Sequence, residues 1–266
     1  MGCSTNISDF DKTMTPQTPT WQAENLRLTI FTAPQTSPLA DVSTWWEKVV
    51  GSPSDVQTSS SKTKSHQEEG AWGNDRLVLR VQSHRIDWVL APTPDNDPED
   101  LSFLSVGKFN EAIVKFIELS NKCLALAPKI QRIALGTVLI FPVSTVDEGY
   151  KAIYPLIEIE GLLKSPGRVR DFLLQINRPV KSNTHEADLQ INRLSKWSVA
   201  SIRKIQLITG IEIATSNFGP EMYACRLELD ISSALEYEGE ITNPKNLLGE
   251  FKDIALAIST SGYGEQ

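Results

Sequence analysis

Ile130-Gln131-Arg132-Ile133-Ala134-Leu135-Gly136-Thr137-Val138-Leu139-Ile140-Phe141-Pro142-Val143 decides the fold, because the order of elements that opens the chain begins again here. Ile133, Leu135, Val138 and Ile140 are the apolar residues of a strand, and Gly136 inside the run is read as a β-bulge. Thr145-Val146-Asp147-Glu148 follows as a capping box, with the Thr hydroxyl on the Glu148 amide and the carboxylate reaching back. The helix it starts runs to about Ile157 and ends irregularly near Pro155. Residues 168–179 then read as a strand with Phe172, Leu174 and Ile176 on one face. Its hairpin partner is 189–197, across a polar turn at 182–188. A second hairpin joins 205–214 to 222–231 across Ser216-Asn217-Phe218-Gly219-Pro220. Asn243-Pro244 starts a last helix whose Leu247, Phe251, Ile254 and Ile258 form one apolar stripe.

The same order is found upstream. Residues 26–32 alternate as a strand, and Ser37-Pro38 supplies a cap and a first-turn proline. Leu39, Val42, Trp46 and Val49 follow at helical spacing until Gly51 ends the run. Residues 52–64, rich in Ser, Thr and Lys, read as an exposed loop or a weak edge strand. Strong strand character begins at Trp72: Leu77, Leu79 and Val81 face one way, and Val78, Arg80 and Gln82 the other. A turn at 83–85 returns the chain as Ile86–Leu90, and the acidic, proline-bearing loop 91–100 leads into a helix over 108–127. Phe109, Ile113, Phe116, Cys123 and Ala127 share the inner face of that helix.

The two passes agree in element order and not in residue identity. The fold class expected is α+β: two similar halves, each strand–helix–antiparallel strands–helix, forming a curved antiparallel sheet packed by two long helices. Residues 1–20 read as a disordered leader, 21–128 as the N-terminal half and 129–262 as the C-terminal half of one fused body. The 76–80 and 86–88 hairpin, Arg132-Ile133-Ala134-Leu135-Gly136, and Leu227-Glu228-Leu229-Asp230-Ile231 before the Phe251 helix carry a resemblance. In that order the chain resembles a sporadically distributed, uncharacterised family of bacterial proteins of similar length with no assigned activity. It departs from that pattern at Ala134-Leu135-Gly136-Thr137, where a more polar or aromatic strand end is expected. The resemblance implies no catalytic residue.

Composition narrows the function classes. A net charge of −7 on 266 residues opposes a general attraction to nucleic acid. No apolar run reaches the roughly 20 residues needed to span a bilayer, and no signal-peptide pattern opens the chain, so a soluble, cytoplasmic protein is expected. Met1-Gly2-Cys3-Ser4-Thr5-Asn6 approaches an acylation signal but places Asn6 where Ser or Thr belongs. Cys123 and Cys225 read as buried, reduced, small hydrophobes.

No Walker loop, GxSxG elbow, GxGxxG or HExxH is present. His66, His84 and His185 are scattered; His185 with Glu186 and Asp188 is the densest group and lies in a turn. No catalytic residue, metal or cofactor is therefore assigned. The feature above background is a basic run: Arg168, Arg170, Arg178, Lys181, Arg193, Lys196 and Arg203 around Trp197. On one sheet face these would hold phosphates and stack a base. On a solvated sheet edge they would only discourage edge pairing. The expected function is a non-enzymatic interaction protein that docks onto a protein partner or self-associates. The alternatives are a nucleic-acid or phosphate-ligand binder using the basic run, and an enzyme without a recognisable motif.

Overall fold

In the computed structural model, residues 19–33, 42–94, 102–157, 171–184, 188–209 and 214–262 are described, without the side chains of 203–220. Alternation along β1 (Gln22–Thr32) buries Leu26, Leu28 and Ile30 on one side. The antiparallel register sets Leu28 opposite Leu135 of β6 (Ile130–Val143) and Trp88 of β5 (Arg85–Pro92). Ile231 of β10 (Ala214–Ser233) lies beyond Leu135. One apolar row therefore crosses four strands.

The remaining strands are β2 (Val56–Ser60), β3 (Ser65–Trp72), β4 (Asp75–Gln82), β7 (Leu173–Asn177), β8 (Val180–Lys181) and β9 (Gln190–Thr209). They complete a mixed α+β architecture with a ten-stranded antiparallel sheet in the order β2-β3-β4-β5-β1-β6-β10-β9-β7, and β8 also pairs with β9. β1 and β6 are central, and the last strand of each run, β5 or β10, returns to pair with its first.

Helices α1 (Trp45–Val50), α2 (Phe109–Leu126), α3 (Val146–Ile157) and α4 (Pro244–Ser261) are described, the first extended by a 3-10 turn at Val42–Thr44. Each buries its apolar residues against the side that carries Leu28. Phe116 of α2 and Phe251 of α4 are fully buried where these two helices meet. Trp46 of α1 stacks on Trp88 with ring centroids 6.1 Å apart. A Cβ on Gly70 would come within 2.9 Å of the Trp46 ring, so the β3 glycine makes this stacking possible. No helix among the described residues is long and apolar enough to cross a membrane.

Several expectations hold at residue level. β6 has the bounds read from its sequence. The capping box forms, with the Glu148 amide donating to Thr145 Oγ1 at 3.2 Å and the Ser144 amide donating to Glu148 Oε2 at 3.0 Å. Other expectations are corrected. Gly136 is not a bulge: it pairs in register with both Arg27 and Asp230, and the shifts along β1 fall between Ala23 and Asn25 and between Phe31 and Thr32. Strand structure begins seven residues before Trp72, at Ser65, because β3 turns polar His66 and Glu68 inward where apolar residues are expected. The 205–214 and 222–231 segments are not separate strands joined at 216–220. β9 and β10 are one antiparallel pair whose register runs from Thr209–Ala214 onward, and the turn-like residues coincide with a register shift between Phe218 and Glu221. The 52–64 segment holds β2, an edge strand. Ser37-Pro38, residues 1–18 of the 1–20 leader and residues 158–170 lie outside the described residues.

Replacing Phe251 by Ala is expected to cost about 3–5 kcal/mol, as for a fully buried aromatic. Urea denaturation measures it; a loss below about 1 kcal/mol would mean that the site is loosely packed.

Candidate functional site

Strand alternation decides the fate of the basic run. Residues of β9 at odd positions face the helices, and those at even positions face the side that carries no helix among the described residues, since Trp197 opposes buried Leu227 while Lys196 opposes Glu228. Trp197 is fully buried, packed edge-on against Trp21 at 6.1 Å, with its Nε1–H on Ser195 Oγ at 3.2 Å. It presents no surface on which a base could stack. Lys196 lies on the opposite face, 3.6 Å from Glu228, which Arg226 also engages. Lys181 pairs with Asp188 at 3.1 Å in the open. Arg168, Arg170, His185 and Glu186 are outside the described residues, as is the side chain of Arg203.

Two members do meet. Arg193 Nε–H donates to the Arg178 carbonyl at 2.8 Å, and the Arg193 amide donates to Asn177 Oδ1 at 3.0 Å. Desolvation first, and the nearby Arg178 charge second, lower the Arg193 pKa. The Arg193 contact is with the Arg178 main chain, and the Arg178 charge acts on Arg193 from nearby. Arg193 borders a cavity of about 590 Å³ over α4 with Asn183, Thr184, Lys245, Asn246 and Glu250. Glu250 anchors the neighbouring turn: it accepts from Ser182 Oγ at 2.7 Å, the Asn183 amide at 2.8 Å and Thr184 Oγ1 at 2.8 Å. Burial pushes the Glu250 pKa up, but these hydrogen bonds outweigh it and hold the carboxyl below its ordinary value.

A second constellation escaped the sequence reading. Across the β2–β3 pair, Ser59 Oγ lies 2.8 Å from His66 Nδ1, and His66 Nε2 lies 2.8 Å from Glu68 Oε1. Ser54 Oγ donates to Glu68 Oε2 at 2.9 Å. Ser59 is exposed, while His66 and Glu68 are only 5% and 4% exposed. The order Ser–His–carboxylate is that of an activated nucleophile. Both ring nitrogens and both Glu68 oxygens already have partners, however, which is how a buried polar pair is satisfied structurally. The sequence signal was His66-Gln67-Glu68, one residue apart on a strand and so on one face.

The thiols offer no alternative. Cys123 and Cys225 are buried and give their protons to the Leu119 and Gly149 carbonyls, both at 3.3 Å. Desolvation pushes Cys123 well above its ordinary range and Cys225 up to about 12, which leaves little thiolate. Among the described residues no group of three His, Cys, Asp or Glu is placed to hold a metal ion. No family model, curated protein or solved structure matches the chain.

His66→Ala strands a buried carboxylate oxygen and Glu68→Gln alters the same link, so each is expected to cost about 1–3 kcal/mol in urea unfolding. An unchanged midpoint in both would show that the chain Ser59–His66–Glu68 is not formed. For Glu250, the depressed folded pKa means stability present above the unfolded pKa and lost as pH falls through the folded pKa. Glu250→Gln should lower stability by about 1 kcal/mol or less at neutral pH, given its partial exposure. The difference should vanish in acid; a pH-independent difference would contradict it.

Proposed function

We propose that the chain is a non-enzymatic interaction protein that docks onto a protein partner, or onto a second copy of itself, through the edge strand β2. One observation carries the reading: β2 ends the sheet on one side, and every residue from Val56 to Ser59 is exposed, Val56 by 55%. The strand Val56-Gln57-Thr58-Ser59-Ser60 contains no charge and no proline, the usual means of blocking edge pairing. An extended segment added there gains main-chain hydrogen bonds, with Val56 as an apolar contact.

The architecture supports a companion reading. We infer that 21–128 and 129–262 are two like-ordered halves fused through β1 and β6. Their support is the matched position of those strands and of β5 and β10 on either side.

Light scattering at low and high salt, with Val56→Lys/Thr58→Lys as the control, tests the docking. The expected result is self-association, or cross-linking to a protein partner through a photoreactive residue at Gln57, lost in the double variant. A chain that stays monomeric and cross-links to nothing contradicts it.

A second reading has its own support in the Arg178–Arg193 contact: a phosphate-bearing ligand, nucleic acid included, held over α4. Arg178→Ala/Arg193→Ala should then abolish binding that weakens steeply with salt. Absence of any complex with single- or double-stranded probes at low salt, and with inorganic phosphate, would remove this reading.

A further inference from the structure

The helix-free face holds an opposed pair of charges that the fold leaves unused. Register aligns Arg27, Gly136 and Asp230 as neighbours on β1, β6 and β10, with Leu194 of β9 beyond them. Leu26 and Leu28 flank Arg27 and face the helices, so this row faces away from them. Gly136 has a specific effect here. A Cβ at that position would lie 3.2 Å from Arg27 Nη2, so the missing side chain lets the guanidinium lie across β6 toward β10.

Arg27 makes no hydrogen bond or ion pair with any described residue, although it is half-buried. On the far side of Gly136, Asp230 Oδ1 is buried and has no partner. Arg85 feels the Asp230 charge, but spends its hydrogen bonds on Asp87 at 2.7 and 2.9 Å. Lys196 and Arg226 are both committed to Glu228. Among the described residues Arg27 and Asp230, two groups of opposite sign, keep no partner, and both residues line one cavity of about 310 Å³, with Val138 and Leu194 on its apolar side and the paired Lys196 and Glu228 at its rim. Their Cα atoms are two strand spacings apart, roughly 10 Å.

We propose that this cavity binds a small zwitterion of the α-amino-acid class, its carboxylate on the Arg27 guanidinium and its ammonium on Asp230. Arg27 offers a planar fork matched to a carboxylate, and the Asp230 carboxylate is an acceptor for an ammonium. The cavity is at the lower end of ligand-pocket volumes, which suits a free amino acid. A peptide terminus brings only one of the two charges and leaves the other group unpaired. The site is independent of β2, so its failure leaves the docking reading untouched, and the reverse.

The test is calorimetric titration of the full chain with the standard L-amino acids, each to about 10 mM, enough to saturate a site with Kd on the order of 1 mM. At least one should bind with 1:1 stoichiometry. Its N-acetyl and carboxamide derivatives, each lacking one charge, should bind about tenfold more weakly or worse. Asp230→Asn keeps the shape of the site and should lose a similar factor, as should Arg27→Met. Gly136→Ala should weaken binding by pushing the guanidinium aside, while Lys181→Ala should bind as the wild type does. Thermal melts confirm that each variant is folded. No saturable binding by any of the amino acids overturns the proposal. So does equal binding by the blocked derivatives, or affinity unchanged in both Asp230→Asn and Arg27→Met.

Discussion

The pairing of β1 with β6 is the constraint on which the rest of the molecule depends. These two strands are far apart in sequence, yet they exchange hydrogen bonds along almost their full length and carry the middle of the apolar row. Closing so long a loop is entropically unfavourable, and the burial of Leu28, Leu135, Trp88 and Ile231 under the helices offsets it. Other contacts cross the same boundary. Trp21 packs against Phe141 and Trp197 and donates to the Ser259 carbonyl of α4 at 2.8 Å.

The sheet is one-sided, and its chemistry follows from that. One face is covered by α1 to α4, so most side chains turned toward it are buried in packing. Trp197 and the His66–Glu68 pair are on that side. The other face carries charges of both signs: Arg85 pairs with Asp87 and Arg226 with Glu228 along their own strands, Lys196 reaches Glu228 across strands, and Arg27 and Asp230 lie between. The described members of the basic run are thus divided between the two faces of the sheet. Arg193 and Lys196 are three residues apart, an odd spacing that sends them to opposite faces. The acidic residues of β10 then neutralise Lys196.

What the sequence revealed depended on how far local pattern and tertiary role agreed. β6, the Thr145–Glu148 cap and the Phe251 stripe were legible because periodicity and burial coincide there. β3 was hidden because His66 and Glu68 occupy inward positions that usually hold aliphatic residues, and their mutual hydrogen bond, invisible in a linear reading, makes this tolerable. Asn217-Phe218-Gly219-Pro220 carries every local sign of a turn, yet the long β9–β10 ladder absorbs it as a register shift. Gly136 suggested a break in the strand. Its purpose lies in the neighbouring strand, where Arg27 occupies the space left by the missing side chain. The Arg27–Asp230 site was therefore not readable before strand register was known.

The most direct test of the central pairing is hydrogen exchange read by mass spectrometry as urea is raised. If β1 and β6 bind the chain into one cooperative unit, amides of β5 and of β10 should become exposed at the same urea concentration, and Leu28→Ala should shift both together. Exchange of one set while the other remains protected would show two units that merely touch, and would contradict the account.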